Sequence, residues 1–242
     1  MVDVKTTRLD KYLSNRGVTS RRNIKKLLKS HTVTVNGTRV FELGIRITPE
    51  TDDLRINGNK LPYSKHVYFM LNKPIGIVST SSDEYGRTNV VSLIDTSVRI
   101  FPVGRLDKDT SGLILLTNDG DLTHKLTHPK YHVPKIYHLT IQGMITDEQK
   151  KAFADGVLLR DGITQPVHIA VLKIGKISLL RIVLHEGRYR QIRRMCETLG
   201  IELIHLKRIA FGPIKLGSLK EGEYRNLTKH EIASLEKAVE KS

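Results

Sequence analysis

Apolar residues recur at helical spacing near the start of the chain and predict two short helices. The first covers 8–16 and ends where Gly17 can adopt a left-handed conformation. The second covers 21–30, and either Thr19 or Ser20 can cap its amino end. The opening segment is therefore expected to be a pair of helices.

Short strands are predicted to follow these helices. Val33-Thr34-Val35 alternates as a strand does, and the Asn36-Gly37 pair after it is typical of a two-residue hairpin turn. A second turn, Asn57-Gly58-Asn59, ends the pattern, and 61–65 has the composition of a linker. These elements predict a small α/β module that covers residues 1–62.

From residue 66 onward, short β-branched runs alternate with a few helical segments. The predicted strands cover 67–71, 114–117, 137–141, 167–172, 177–184 and 202–209. The predicted helices cover 121–126, 146–154, 189–199 and 228–238. Because strands outnumber helices and short turns join several of them, we expect a mixed or antiparallel sheet flanked by helices. The predicted fold class is α+β, with a second domain over 63–242.

Charge narrows the range of partners. The 242 residues include 40 Lys and Arg against 25 Asp and Glu, a net charge of +15, and residues 1–63 alone hold 13 basic and 6 acidic side chains. Such an excess predicts an acidic partner, with nucleic acid ahead of a membrane surface. No apolar stretch approaches the roughly 20 residues of a spanning helix, and the first residues lack a signal-peptide pattern. Because Cys196 is the only cysteine, we expect a cytoplasmic protein without disulfides.

The predicted helix over 21–30 separates apolar from basic side chains. Ile24, Leu27 and Leu28 fall within one arc at 100° per residue. The opposite arc holds the basic residues Arg21, Arg22, Lys25, Lys26 and Lys29. A face of this kind is expected to contact the phosphates of RNA.

The segment that points most directly to chemistry is Gly104-Arg105-Leu106-Asp107-Lys108-Asp109-Thr110-Ser111-Gly112, ahead of an apolar run at 113–116. A loop carboxylate repels a polyanion, so Asp107 is unlikely to serve affinity in a chain this basic. We interpret it as a reacting group that the basic residues bring to nucleic acid. The alternative is a capped loop, in which Asp109, Thr110 and Ser111 bond to their own backbone.

Arginines crowd the start of the predicted helix over 189–199. They are Arg188, Arg190, Arg193 and Arg194, and the apolar residues of this helix fall on its other face. Such a surface can bind phosphates, and one arginine can pair with a buried carboxylate and lower its pKa. A solvated basic face remains an equally good interpretation of the pattern alone.

Two further segments carry weaker signals. Lys73 precedes a Pro/Gly turn at the end of a predicted strand, a pattern that usually marks only a turn. Lys135 and Tyr137 share one face of another strand, where the aromatic ring could stack on a base or simply belong to the core.

Metal and nucleotide chemistry are disfavoured. His124 and His128 have a spacing that can hold a metal on a helix, but no third ligand is evident and Pro129 follows at once. The chain contains neither a glycine-rich phosphate loop nor a dinucleotide fingerprint. We therefore expect no metal, and no nucleotide-driven or nicotinamide reaction.

Taken together and in this order, these segments resemble the pseudouridine synthases of the RsuA/RluB/RluE/RluF group. Lys73-Pro74-x-Gly76 resembles the first motif of the group, 104–107 with 110–113 the second, Lys135-x-Tyr137 the tyrosine segment and 187–195 the third. Residues 8–37 resemble the small RNA-binding domain named for ribosomal protein S-four. The resemblance covers nearly the whole chain.

The resemblance implies isomerisation of a uridine in RNA to pseudouridine without a cofactor. It implies Asp107 as the nucleophile, toward either the anomeric carbon or the uracil ring, with Arg193 as its ion-pair partner. Tyr137 would stack on the target base, and Arg105 would fill the space that the flipped uridine leaves. Asp109 is read as loop scaffolding.

The expected partner is ribosomal RNA or a ribosome assembly intermediate, bound by a monomer. Lys73, Arg188, Arg190 and Arg194 join the basic helix as expected RNA contacts. The segment 79–88 and the wording of 187–190 lean slightly toward large-subunit RNA.

Two other functions stay open. One is a non-catalytic RNA-binding or ribosome-assembly protein, which would not need Lys73, Asp107, Tyr137 and Arg193 together. The other is a glycoside or nucleoside hydrolase that uses Asp107 with Asp109 or Asp119.

Overall fold

The computed structural model describes residues 6–61, 66–81 and 86–240. Two compact units divide the chain. The first comprises Met1–Val67 with the short segments Thr96–Ile100 and Asn118–Gly120, and the second comprises Tyr68–Asp95, Phe101–Thr117 and Asp121–Ser242. The predicted linker residues 62–65 lie outside the described residues, so the boundary between 62 and 63 stays a prediction.

The first unit packs two helices against short strands. In chain order it contains β1 (Thr7–Arg8), α1 (Leu9–Asn15), a 3₁₀ turn (Arg21–Asn23), α2 (Ile24–Ser30), β2 (Val33–Val35), β3 (Thr38–Arg39), β4 (Arg46–Ile47), β5 (Leu54–Ile56) and β6 (Asn59–Lys60). The strands form a β3-β2-β5-β6 sheet and a separate β1-β4 pair. Leu9, Leu13, Ile24 and Leu28 of the helices are buried in one core with Val33. The apolar residues that predicted both helices therefore face this core.

Both predicted hairpin turns occur. Asn36 and Gly37 join β2 to β3 with φ of +50° and +80°, and Asn57 and Gly58 join β5 to β6 with φ of +50° and +82°. Asn and Gly tolerate positive φ, which these tight turns require. The predicted cap of the second helix is wrong, because Ser20 precedes the 3₁₀ turn but makes no side-chain capping bond.

The second unit is built on a large sheet. Its strands are β7 (Tyr68–Lys73), β8 (Phe101–Pro102), β9 (Ser111–Thr117), β10 (Lys135–Gln142), β11 (Leu158–Leu159), β12 (Gly162–Ile163), β13 (Ile169–Lys173), β14 (Ile177–Leu184), β15 (Leu203–Phe211), β16 (Ile214–Lys215) and β17 (Tyr224–Asn226). Its helices are α3 (Gly120–Thr127), α4 (Asp147–Asp155), α5 (Gln191–Thr198) and α6 (Lys229–Ala238), with 3₁₀ turns at Val91–Leu93 and Pro129–Tyr131.

The main strand order is β13-β14-β10-β15-β9-β7-β17, with β16 on β15 and β8 on β9. The β9–β15 pair is parallel and the other pairs in this sheet are antiparallel. Leu122 and Leu126 of α3 and Leu235 of α6 pack with Leu113 and Leu115 of β9 in one core. The α+β class and the mixed sheet flanked by helices are confirmed, although β8, β11, β12, β16 and β17 were not predicted.

A close approach of two strands fixes the start of β9. Gly112 has φ of +104°, and a Cβ added there would lie 2.2 Å from the carbonyl oxygen of Arg208 in β15. Only glycine fits this position, because any side chain would push the parallel strands apart. The close packing of β9 against β15 thus explains why a glycine stands at the end of the Asp107 loop.

None of the described helices combines the length and the apolar character that crossing a bilayer requires.

Candidate active site

The loop that carries Asp107 runs from the end of β8 to the start of β9 and is fixed at several backbone atoms. The Ser79 hydroxyl donates to the Leu106 carbonyl at 2.8 Å and accepts from the Leu106 N–H at 3.1 Å. The Thr110 N–H closes a turn on the Asp107 carbonyl at 3.1 Å. These bonds hold the residues on either side of Asp107, so its side chain projects from a rigid support.

Lys73 lies beneath this loop and is not exposed at the surface. Its side chain is fully buried, and Nζ donates to the carbonyls of Pro74 at 2.7 Å and Lys108 at 3.5 Å. Burial lowers the pKa of Lys73 to about 8, against the opposing charges of Asp109 and Asp107. The expectation that Lys73 contacts RNA is therefore wrong for this structure, because Lys73 supports the loop from inside.

Asp109, not Asp107, receives the arginines of α5. Arg190 donates to both oxygens of Asp109, at 3.1 and 3.0 Å, and Arg193 Nε lies 3.2 Å from Oδ2 without the alignment of a hydrogen bond. Arg193 Nη2 also donates to the Asp109 carbonyl at 2.7 Å. Burial would raise the pKa of Asp109, but the Arg190 hydrogen bonds and the Arg193 charge hold it below its ordinary value. The expected Asp107–Arg193 pair is corrected to Asp109–Arg193.

Arg188 and Arg194 are also bound within the protein. Arg188 donates to Glu186 and to the carbonyls of Asp161, Gly162 and Ile163 in the β11–β12 hairpin. Arg194 forms a bidentate pair with Asp161 at 2.9 and 3.1 Å. Arg188, Arg190 and Arg194 therefore serve mostly as hydrogen-bond and ion-pair partners within the protein. They are not a free RNA-binding surface, because their guanidinium groups already bind protein acceptors.

A cavity of about 430 Å³ opens beside the loop. Asp107, Tyr137, Arg193 and Arg105 contribute to its lining. Tyr137 is only 8% exposed, and Arg105 is exposed. Among the described residues, no basic group lies within ion-pair distance of the Asp107 carboxylate. The cavity therefore brings together the predicted residues of the second, tyrosine and third motifs.

Sequence reasoning missed Arg208, which lines the same cavity. Arg208 is 2% exposed, and its Nε donates to the Leu113 carbonyl at 2.7 Å. It is the register partner of Tyr137, from the neighbouring strand. An isolated arginine that alternates with buried Leu206 and Ala210 was the available signal, because charged residues seldom face a core without a purpose.

The basic face predicted over 21–30 belongs to the first unit, with Arg21 and Arg22 in the 3₁₀ turn and Lys25, Lys26 and Lys29 in α2. Arg22, Lys25, Lys26 and Lys29 are exposed, whereas Arg21 lies 2.9 Å from Asp10, which also binds Arg8. Four of the five predicted cations on this face thus make no ion pair within the described part of the chain. This face matches the expected RNA-binding surface in charge and exposure.

No group of three or more metal-binding side chains occurs in residues 6–61, 66–81 and 86–240. His124 and His128 contact each other, with ring centroids 5.2 Å apart, and the His128 Nδ1 accepts from the Lys130 N–H.

Comparison with known proteins identifies the family. A family model for RNA pseudouridylate synthase matches residues 67–198, and one for the S4 domain matches residues 7–53. Ribosomal large subunit pseudouridine synthase B of Bacillus subtilis (strain 168) is 41% identical over 94% of this chain and 95% of that protein. Ribosomal small subunit pseudouridine synthase A of Yersinia pestis is 39% identical over 94% of this chain and 97% of that protein.

A crystal structure of a pseudouridylate synthase superposes with a TM-score of 0.68 at 34% identity, covering 94% of this chain and 99% of the other. The resemblance predicted from the motifs is confirmed. This chain therefore belongs to the RNA pseudouridylate synthase family of isomerases, and it carries an S4 domain on the amino-terminal side of its synthase region.

Proposed function

We propose that this enzyme isomerises a specific uridine of ribosomal RNA to pseudouridine, with Asp107 as the nucleophile. The observation that carries the proposal is the contrast within one loop. Asp109 binds the arginines of α5, while Asp107 lies at the cavity with no ion pair among the described residues. A carboxylate that the protein leaves unpaired at a cavity is free to react with a ligand.

The reaction is an isomerisation, so the uridine and the pseudouridine contain the same atoms. The bond between uracil N1 and ribose C1′ breaks, and its electron pair goes to the ring. The ring turns, C5 bonds to C1′, the C5 proton leaves and N1 gains a proton. Asp107 attacks either C1′ or the ring, and the bond that it forms breaks again before the product leaves, so the carboxylate is regenerated. Tyr137 stacks on the base, and Arg193 acts through Asp109 as a positioning residue.

Two surfaces are suited to hold the substrate RNA, one in each unit. The exposed Arg105 at the cavity is suited to fill the place of the flipped uridine. The cations of the first unit at Arg22, Lys25, Lys26 and Lys29 are suited to phosphates, because they are exposed and make no ion pair among the described residues. Arg188, Arg190 and Arg194 no longer belong to this set.

We favour large-subunit ribosomal RNA slightly over small-subunit RNA. Similar proteins carry names from both subunits, at 41% and 39% identity. Part of the segment on which the preference rests, 82–85, lies outside the described residues. The substrate is naked RNA or an assembly intermediate, and we propose a monomer that works in the cytoplasm, with the domain boundary near residue 62.

The test is release of tritium from RNA labelled at C5 of uracil, with both ribosomal RNAs as substrates. Wild type, Asp107→Asn and Asp155→Asn are compared. Asp155 is an exposed aspartate on α4 and controls for the loss of a carboxylate elsewhere. We expect release by wild type and Asp155→Asn from one RNA, and none by Asp107→Asn.

Release by Asp107→Asn at the wild-type rate would refute the role of Asp107. Release of free uracil would favour a hydrolase. If neither the ribosomal RNAs nor assembly intermediates isolated from cells lacking the enzyme support release, the isomerase proposal fails and a non-catalytic RNA-binding role takes its place.

A further inference from the structure

Two cationic side chains meet at the Tyr137 side of the cavity. Lys135 and Tyr137 are two residues apart on β10 and share its face, and Arg208 stands opposite Tyr137 on β15. All three side chains line the cavity. Lys135 and Arg208 thus give this part of the cavity wall a positive charge, whereas Asp107 in the same cavity is negatively charged.

Arg208 has a hydrogen-bonding capacity that the protein does not use. Its Nε is bound to the Leu113 carbonyl, and its guanidinium carbon lies 5.1 Å from the centre of the Phe211 ring. Its Nη2 is buried and has no acceptor among the described residues. Buried polar groups in proteins are nearly always bonded, and a guanidinium that is left incompletely bonded in the lining of the cavity is available to a ligand that accepts from it.

Lys135 likewise lacks an anion of its own. Burial lowers the pKa of Lys135 to about 8, and the charge of Arg208 lowers it further against the weaker pull of Glu186. Glu186 is already bound by Arg188 Nε, Gln191 Nε2 and the Gln165 N–H. No carboxylate lies within ion-pair distance of Lys135 or Arg208 in the described ranges.

We propose that Lys135 and Arg208 bind the carbonyl oxygens of the target uracil and stabilise the negative charge that the ring carries between bond cleavage and rejoining. This inference rests on the proposed function, because it concerns the same reaction. When the N1–C1′ bond breaks, its electron pair enters the ring and spreads onto O2 and O4. Fixed cations placed where charge develops lower the barrier, because they need no reorganisation when the charge appears.

A base carbonyl fits this wall better than a phosphate does. Arg208 is 2% exposed and has one buried nitrogen without an acceptor, whereas a phosphate group would require several donors and room for its own oxygens. Tyr137 follows Lys135 on the same face of β10 and is paired with Arg208 of β15, and its ring is suited to the face of a flat base. Uracil presents this combination of a flat ring and edge carbonyls.

The first test uses variants of Lys135, which is only partly buried and is the safer of the two to change. Single-turnover rates and RNA affinity are measured for Lys135→Met and Lys135→Arg on the RNA that wild type modifies. We expect Lys135→Met to lose about 10- to 100-fold in rate. RNA affinity should stay near that of wild type, and Lys135→Arg should keep most of the rate.

The second test changes the substrate. Sulfur accepts hydrogen bonds weakly, so 2-thiouridine or 4-thiouridine at the target position weakens one carbonyl contact at a time. We expect one substitution to slow wild type about ten-fold, and the same substitution to have little further effect on Lys135→Met or Arg208→Lys. Thermal melting of each variant identifies any loss of folding.

The outcomes separate the two proposals. If wild type modifies RNA and Lys135→Met is equally fast, or if the thio effect is undiminished in both variants, the cation pair has no role in the chemistry and this inference is wrong. Equal loss of RNA affinity and rate in Lys135→Met would also overturn it, since that pattern indicates a phosphate contact. Failure of wild type on every RNA would instead refute the proposed function itself.

Discussion

At the scale of single residues, the loop between β8 and β9 gives two neighbouring carboxylates opposite tasks. Asp109 ties the loop to α5 through Arg190 and Arg193, whereas Asp107 has no ion pair among the described residues. The tie holds the loop in place, and under the proposed function the untied carboxylate is left for substrate.

This division predicts different effects on stability. Asp107→Asn should change the free energy of unfolding by less than about 0.5 kcal/mol, since no ion pair is lost. Asp109→Asn should lower it by about 1 kcal/mol, because a partly exposed pair with two arginines is weakened. Urea unfolding of both variants and of Asp155→Asn measures this, and an equal loss in the two loop variants would contradict the division.

The pH dependence of the reaction should carry the signature of Lys135. A lysine is charged below its pKa, so a group with a pKa of about 8 loses its charge as the pH rises above that value. The single-turnover rate should therefore fall above about pH 8 in wild type. In Lys135→Arg this fall should move to higher pH, because the guanidinium stays protonated. A fall that persists unchanged would point to Lys73, which has a similar pKa.

At the scale of elements, the ends of helices are secured by side chains that reach other segments. The amino end of α6 carries a capping box between Thr228 and Glu231, and Glu231 also forms a bidentate pair with Arg225 of β17 at 2.7 and 2.8 Å. The hydrogen bonds from Arg225 and the Thr228 N–H lower the pKa of Glu231 to about 2 against the effect of burial. One carboxylate thus joins the last strand to the last helix.

We expect Glu231→Gln to lower the free energy of unfolding by about 1–2 kcal/mol at neutral pH. Because the folded-state pKa is depressed, the contribution of Glu231 is complete above its unfolded value of 4.5 and disappears as the pH falls through about 2. Denaturation curves across this range should bring the variant and wild type together at low pH. Glu236→Gln, an exposed change on the same helix, is the control, and a difference that is independent of pH would refute the account.

Much of this element structure could be predicted from the sequence. Long strands such as β14, and the helices α4 and α6, follow from local pattern. The partner of Arg193 could not be predicted in this way. Asp107 and Asp109 are two residues apart, and the turn of the loop decides which of them faces α5. Lys73 was misjudged for a similar reason, since its burial depends on a loop more than 30 residues away in sequence.

At the scale of the whole molecule, the net charge of +15 overstates the positive surface available to RNA. Arg188, Arg190, Arg193 and Arg194 are all engaged with protein acceptors. In the first unit, the exposed cations Arg22, Lys25, Lys26 and Lys29 make no ion pair among the described residues. We therefore expect the salt dependence of RNA binding to arise largely from the first unit.

The triple change of Arg22, Lys25 and Lys26 to Ala should weaken RNA binding and reduce the slope of log affinity against log salt by about 0.7–0.9 for each lost phosphate contact. Lys176, Lys229 and Lys237 are exposed lysines of the second unit, and replacing them with Ala removes the same charge. The control should keep a slope close to wild type. Equal slopes for the two triple variants would mean that only total charge matters.

The contact between Gly112 and the Arg208 carbonyl has a consequence for how mutational data on this enzyme should be read. If Asp107 has the proposed role, a saturation screen scored only by product formation would rank Gly112 beside Asp107, because a side chain at Gly112 would clash with the Arg208 carbonyl. The two losses would differ in kind: one would remove the proposed nucleophile and the other would remove space. A parallel screen for folded protein would distinguish the two kinds of loss. Positions that fail only the activity screen would be the residues that act in the reaction.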